Sequence, residues 1–197
     1  MKPDKLKKGI QKMTNEIAAC ITELYGKPDY KQFMKLCNKK IIFRQEFYDI
    51  LSHSIEYSDA PMEATAAHDF YIKFSTKKRG DFHIEYHSII SISRLIPVVS
   101  IHHSFEVTYQ GKEKYSYYVF DGFSTQPYCK EQHIFHKEIV PYFLQEGYRI
   151  LSDKEENEYA VNPGWFNSMV HNQNYYTVGS LLFTSRFYDW GEYADDE

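Results

Sequence analysis

The chain contains three cysteines among its 197 residues, Cys20, Cys37 and Cys129. This number and spacing supply neither a disulfide framework nor the paired ligands of a structural zinc motif. A composition of this kind suits a reducing compartment, so we expect a cytoplasmic location. No apolar run approaches the roughly 20 residues of a membrane-spanning helix, and no apolar segment of the signal-peptide type follows Met1. The sequence therefore predicts no membrane partner.

Sequence signatures of nucleotide sites and of activated nucleophiles are also missing. Neither G-x-G-x-x-G nor a phosphate-binding loop of the form G-x-x-x-x-G-K followed by Ser or Thr occurs, and no G-x-S-x-G surrounds any serine. We therefore predict no cofactor. The net charge of -4 argues against a broadly basic, nucleic-acid-binding surface. Lys77, Lys78 and Arg79 form one basic cluster, which is narrower than the stripe such proteins usually carry.

What is present is a central stretch, residues 68–120, rich in β-branched and aromatic residues. Phe70, Ile72 and Phe74 alternate with polar neighbours, which is the period of a strand with one apolar face. Three further alternating segments follow after short loops. Short loops favour antiparallel neighbours, because a parallel pair needs a long crossover. The stretch therefore predicts a β-meander.

The whole chain is predicted to be a single α+β domain, residues 1–197. N-terminal helices pack on a mostly antiparallel, curved sheet, and a further helix follows the central strands. The predicted segments are a mainly helical part, a central β-meander, a helix, and a part with further strands and loops, which cover residues 1–57, 68–120, 131–147 and 148–190. Apolar residues at spacings of three and four predict that the first helix covers residues 4–25.

Several local predictions accompany this assignment. The charged run 77–81 is expected to be a hairpin loop. A β-bulge is expected in the strand that follows it, near Ser88. The fourth strand is expected to end at Asp121-Gly122. Residues 41–43 fit a short strand and residues 58–67 a loop. Nearer the C-terminus we expect a hairpin that joins Tyr148 and Ile150 to Tyr159 and Val161, and a last strand over residues 176–183.

One group of polar residues has the composition of a metal site. His83, Glu85 and His87 alternate along a strand, so their side chains share a face. Two imidazoles and a carboxylate can bind zinc or ferrous iron, and His102 and Glu106 of the next strand could add to them. The same alternation is typical of the solvent face of a half-buried sheet, or of a partner-binding face. Which of the three applies depends on the face that the helices cover.

The charges are unevenly distributed along the chain. Residues 1–50 carry 11 Lys or Arg and 6 Asp or Glu, whereas residues 137–197 carry 4 and 11. This split indicates either two partner surfaces or two ends that attract each other. The acidic part also contains the aromatic residues expected of an interface. The residues that we predict to bind a partner are Trp165, Tyr188, Trp190, Glu192 and Tyr193.

These observations favour a non-catalytic cytoplasmic module that binds a protein partner, and the acidic surface favours a basic one. An immunity- or antitoxin-type inhibitor of a basic toxin would have this profile. The alternatives are a metal-dependent enzyme that uses the His83, Glu85 and His87 cluster, and a small-ligand binder with a pocket in the mouth of the curved sheet.

Overall fold

The computed structural model describes residues 16–25, 30–60, 65–110, 116–160 and 176–183. Residues 16–25 are helical and are called α1. The elements that follow are α2 (Tyr30–Cys37), α3 (Gln45–Leu51), β1 (Glu56–Ala60), β2 (Ala67–Arg79), β3 (Phe82–Ser93), β4 (Val98–Gln110), β5 (Ser116–Ser124), α4 (Lys130–Gln145), β6 (Arg149–Ile150), α5 (Asp153–Glu156), β7 (Tyr159–Ala160), β8 (Tyr176–Thr177) and α6 (Val178–Phe183). None of the helices in these ranges is long and apolar enough to cross a membrane.

Six of the strands form one open sheet. β1 to β5 are antiparallel neighbours in chain order, and β6 adds to β4 in parallel. The two-residue strands β7 and β8 pair with each other. The predicted α+β class is confirmed: helices precede a mostly antiparallel sheet, and a helix follows the central strands.

One face of the sheet is covered by α3 and α4, and we call it the covered face. Its core contains Phe70 and Ile72 from β2 and Ile90 from β3. The apolar residues of α4 recur at helical spacing, so that Phe135 and Ile139 reach the same core. Each fully buried side chain of this size stabilises the fold by about 1.5–3 kcal/mol.

A second core lies on the opposite side of the sheet, where β3 ends and β4 begins. It joins α1, α2 and α6 to the start of β4, with Phe33, Val98 and Leu182 among its members. Tyr25 donates a hydrogen bond from its hydroxyl to the Leu181 carbonyl at 2.6 Å, which ties α1 to α6. The described helices α1, α2 and α6 cover this face at the start of β4. Further along the face, which we call its upper part, Tyr71, Glu106, Asp121 and Phe123 are exposed.

The central strands are longer than predicted. β2 continues through Lys77 and Lys78, and only Gly80 and Asp81 form the turn, with Gly80 at a φ of 60°. β5 continues past Asp121-Gly122 to Ser124. The bulge predicted near Ser88 is absent there, because the pairing of β3 is continuous at that point. The register shifts instead lie between positions 73 and 76 and between 107 and 108.

Two N-terminal predictions were also wrong. Residues 41–44 form no regular element, since Phe43 packs into the aromatic core from an irregular segment. Glu56–Ala60, which overlaps the predicted loop, is strand β1. Its exposed residues carry little apolar signal, because it is an edge strand that is paired on one side with β2. The predicted helix over residues 4–25 is observed from residue 16, and its earlier part lies outside the described residues.

The C-terminal part contains helices where further strands and loops were predicted. Arg149–Ile150 pairs with β4, and Tyr159–Ala160 pairs with β8, so the predicted hairpin between them does not form. The intervening Ser152 and Glu155 instead form a capping box that begins α5. Only Tyr176–Thr177 of the predicted last strand is extended; the next six residues are α6, whose consecutive Leu181 and Leu182 are both buried in the second core.

Candidate functional site

The candidate site is the exposed upper part of the face opposite α4. Because paired residues share a face, the register places Glu85 of β3 opposite Glu106 of β4, and Glu106 opposite Asp121 of β5. The three carboxylates therefore form one row across three strands. We call the surface around this row the acidic face, and its residues are Glu56, Tyr71, Lys73, Glu85, His87, Glu106, Asp121 and Phe123.

A small ion-pair group occupies the centre of the acidic face. Lys73 Nζ donates a hydrogen bond to Glu85 Oε2 at 3.0 Å, and His87 Nε2 lies 3.4 Å from the same oxygen. The hydrogen bond from Lys73 holds the pKa of Glu85 below its usual range. Lys73 is therefore already engaged by Glu85. Glu106 and Asp121 are exposed, and in the part of the chain that the structure describes neither has a basic partner.

Aromatic side chains flank the carboxylates. Tyr71 is 49% exposed and Phe123 is 60% exposed. Phe123 stacks on the imidazole of His102, with the ring centroids 4.4 Å apart. Beside Tyr71 the surface forms a depression of about 270 Å³, lined also by Glu56, Ser58, Lys73, His87, Ile89 and Ser104. The acidic face thus combines negative charge with apolar surface that water contacts.

Its lower border is a buried polar group. Ser100 donates a hydrogen bond from its hydroxyl to Glu156 Oε2 at 2.6 Å, and His102 Nε2 lies 3.4 Å from the same oxygen. Glu156 belongs to α5 and reaches the strand beneath α6. A Cβ at Gly179 would lie 2.4 Å from Cγ of Glu156, so the absence of a side chain in α6 makes this approach possible. The group fixes the orientation of the His102 ring that supports Phe123.

The five predicted metal ligands share this face, but they do not converge. Glu85 and His87 meet, whereas His102 is directed to Glu156. His83 has a buried Nε2 without a hydrogen-bond partner in the structure. Glu106 is exposed. Across the described ranges no group of three or more His, Cys, Asp or Glu side chains is arranged to hold a metal ion.

The five predicted partner-binding residues, Trp165, Tyr188, Trp190, Glu192 and Tyr193, all lie outside the residues that the structure describes. Their assignment stays a prediction.

Sequence reasoning missed Lys73, Tyr71, Asp121 and Phe123 as members of the site. The alternation of β2 already placed Tyr71 and Lys73 on the polar face. Asp121 and Phe123 were missed because β5 was expected to end at Asp121-Gly122. A longer β5 in antiparallel register would have placed both beside β4.

Comparisons with protein-family models, with curated proteins and with solved structures give no match to this chain.

Proposed function

We propose that this protein is a non-catalytic protein-binding module whose acidic face binds a basic partner. The observation that carries the proposal is the row of Glu85, Glu106 and Asp121, which lie directly opposite one another on three neighbouring strands. An immunity- or antitoxin-type inhibitor that covers a basic surface of another protein is the case that we favour.

The row has an electrostatic cost in the free protein. Opposed side chains in a sheet lie about 4.5–5.5 Å apart, and like charges in these positions are destabilising. At ~5 Å, two carboxylates repel by about 1 kcal/mol in water, and by more where the dielectric constant is lower. Lys73 offsets this repulsion at Glu85, but not at Glu106 or Asp121. A basic side chain of a partner placed between Glu106 and Asp121 would remove the repulsion and gain two attractions.

The aromatic residues supply the apolar part of such an interface. Tyr and Phe side chains that are half exposed beside charged groups are common anchors of protein–protein contacts. Phe123 is held in place by its stack on His102. A pre-positioned ring loses less side-chain entropy on binding than a free one, so this stack favours binding.

The proposal is tested with a charge-neutral variant, Glu106→Gln/Asp121→Asn, which keeps the shape of the face. A matched control, Glu46→Gln/Asp49→Asn, removes two exposed carboxylates from α3 on the other side of the sheet. Each protein is used to capture partners from the native lysate at low salt. Support requires one basic protein that the wild type and the control retain and that the acidic-face variant loses.

Equal retention of the partner by the acidic-face variant would refute the proposal, as would the absence of a stoichiometric partner of the wild type. The C-terminal prediction is tested in the same assay with Tyr188→Ala/Trp190→Ala. Loss of the partner in that variant, with an unchanged Tm, would extend the interface to those residues.

A further inference from the structure

A second surface, of opposite charge, lies along α2 and is independent of the acidic face. Lys31, Lys35 and Lys39 line a groove beside Leu36. Leu36 and Lys39 also line a neighbouring depression of about 430 Å³. The two depressions therefore adjoin at Leu36 and Lys39, and together we call them the lysine groove. The residues that line its second part are Leu36, Lys39, Lys40, Ile41, Ile42, Ser93, Arg94, Leu95, Ile96, Pro97 and Tyr148.

The lysines of the groove have no acidic partner within the described part of the chain. Lys31, Lys35, Lys39 and Lys40 are all exposed, and none forms an ion pair there. Lys31 and Lys35 stand four residues apart on one face of α2, where like charges destabilise a helix. Lys39 and Lys40 follow the last turn of α2, where the negative end of the helix dipole stabilises cations.

The far end of the groove is apolar and firmly held. Ile42 is 89% exposed and lies beside the half-buried Ile41 and Ile96. Arg94 donates a hydrogen bond from Nη1 to the carbonyl of Cys37 at 2.7 Å, which joins the C-terminal end of α2 to the loop that forms the opposite wall. The groove is therefore a preformed concave surface with cations along one end and apolar side chains at the other.

We propose that the lysine groove binds an extended, acidic segment of a partner protein. Residues four apart in a helix are separated by about 6 Å along its axis, and alternate side chains of an extended chain by about 6.5–7 Å. A segment with carboxylates at every second residue therefore matches Lys31 and Lys35 of α2, and its next carboxylate extends towards Lys39, which follows the C-terminal end of the helix. An apolar residue that follows the last carboxylate reaches Ile42 and Ile96.

The apolar end favours a peptide over the other anionic partners. A phosphate backbone would engage the lysines but would leave Ile42 without a contact. The net charge of the chain, -4, also opposes general attraction to nucleic acid or to anionic lipid.

The test measures fluorescence anisotropy of a labelled peptide, Glu-Ala-Glu-Ala-Glu-Ala-Leu-Leu, with the full chain. A rearranged peptide of the same composition, Ala-Ala-Ala-Glu-Glu-Glu-Leu-Leu, tests the spacing. The variant Lys35→Gln/Lys39→Gln should weaken binding of the alternating peptide by roughly twofold to thirtyfold, since two exposed ion pairs together contribute about 0.4–2 kcal/mol. The control Lys137→Gln/Lys154→Gln removes the same charge elsewhere and should leave the affinity within about twofold.

A third variant, Ile42→Ser, tests the apolar end. It should weaken binding of the peptide that ends in Leu-Leu and leave unchanged the binding of one that ends in Ser-Ser. The proposal is overturned if the rearranged peptide binds equally well, or if the control pair weakens binding as much as Lys35→Gln/Lys39→Gln. Tighter lysine-dependent binding of a single-stranded oligonucleotide or of phosphatidylserine vesicles would also overturn it.

Discussion

His103 is a buried histidine of β4 whose side chain faces α4, and it should control how stability depends on pH. Its side chain is 0% exposed, and Nδ1 lies 2.7 Å from the hydroxyl oxygen of Ser88. Nε2 lies 2.9 Å from Nδ1 of His136, so one of these two nitrogens donates and the other accepts. If both imidazoles were charged, every ring nitrogen would be a donor and this hydrogen bond could not form. The folded protein therefore needs at least one neutral histidine here.

Burial away from water lowers the pKa of His103 from 6.5 to about 3. The unfolded chain then binds a proton at a pH where the folded protein does not, so the free energy of unfolding falls as the pH drops below 6.5. Between about pH 7.5 and pH 5 the loss from His103 alone amounts to about 2 kcal/mol. Burial also lowers the pKa of His136, with help from the nearby His133, and this adds to the loss in the same window.

The assay is urea unfolding at about pH 7.5 and pH 5, with the wild type, His103→Gln and a control, His53→Gln. Glutamine keeps a polar group within reach of His136 but cannot titrate. His53 pairs with Glu138 at the surface, and its side chain is 61% exposed. Between the two pH values, the wild type and His53→Gln should each lose about 2 kcal/mol of unfolding free energy through His103, and His103→Gln should not show this loss. The variant is also expected to be less stable at the higher pH, by about 1–3 kcal/mol, because the Ser88 hydroxyl loses its partner.

The lower limit of pH 5 separates histidines from carboxylates. Glu85 and Glu131 have pKa values below their usual range, so the stability that they contribute is lost mainly below pH 5, as the pH falls from the usual carboxyl pKa through those lowered values. An equal loss of stability on acidification in His103→Gln and in the wild type would refute the reasoning, because it would show that the buried imidazole does not control the pH dependence.

Two further predictions concern close contacts in the sheet. A Cβ at Gly122 would lie 2.3 Å from Cε1 of Phe105, so Gly122→Ala should lower the free energy of unfolding by about 1–3 kcal/mol. Adding Phe105→Leu should restore part of this loss, whereas full stability of Gly122→Ala alone would contradict the close approach. Gln132 of α4 donates hydrogen bonds from Nε2 to two strand carbonyls, those of His87 at 2.6 Å and Ser104 at 2.9 Å. Gln132→Leu should therefore lower the free energy of unfolding, measured with denaturant, by about 2–4 kcal/mol. A loss below ~0.5 kcal/mol would show that these carbonyls find other partners.

The meander could be predicted because its signal is local. Phe70, Ile72 and Phe74 alternate with polar residues, and all three are buried. The length of the strands was harder to predict, because Lys77 and Lys78 are strand residues only through their pairing with β3. Charged residues in the part of β2 that extends past β1, at the edge of the sheet, resemble a loop in composition, and only the pairing with β3 distinguishes the two.

The C-terminal part could not be assigned from periodicity. Arg149–Ile150 is a strand because it meets Val98 and Val99, about fifty residues earlier in the chain. Leu181 and Leu182 are buried together because α6 lies among α1, α2 and the start of β4. Both are consequences of tertiary packing, which overrides weak local preference.

The candidate site was predictable in part. The shared face of Glu85 and His87 follows from alternation alone, whereas the position of Glu106 opposite Glu85 required the register of β3 against β4. The involvement of Lys73 required the register of β2 against β3, and the direction of His102 required a carboxylate, Glu156, that lies more than fifty residues later.

The parallel pairing of β6 has a consequence for the synthesis of the chain. β5 pairs with β4 from His103 onwards, so the first residues of β4 receive their second neighbour only from Arg149–Ile150. The amide of Arg149 donates to the Pro97 carbonyl and that of Leu151 to the Val99 carbonyl, both at 2.9 Å. A ribosome-bound chain that has emerged only as far as α4 would present this short strand edge unpaired, and such edges recruit strands from other chains. Pausing or truncation just before Arg149 would thus favour aggregation, whereas synthesis of the next few residues allows β6 of the same chain to pair with this edge.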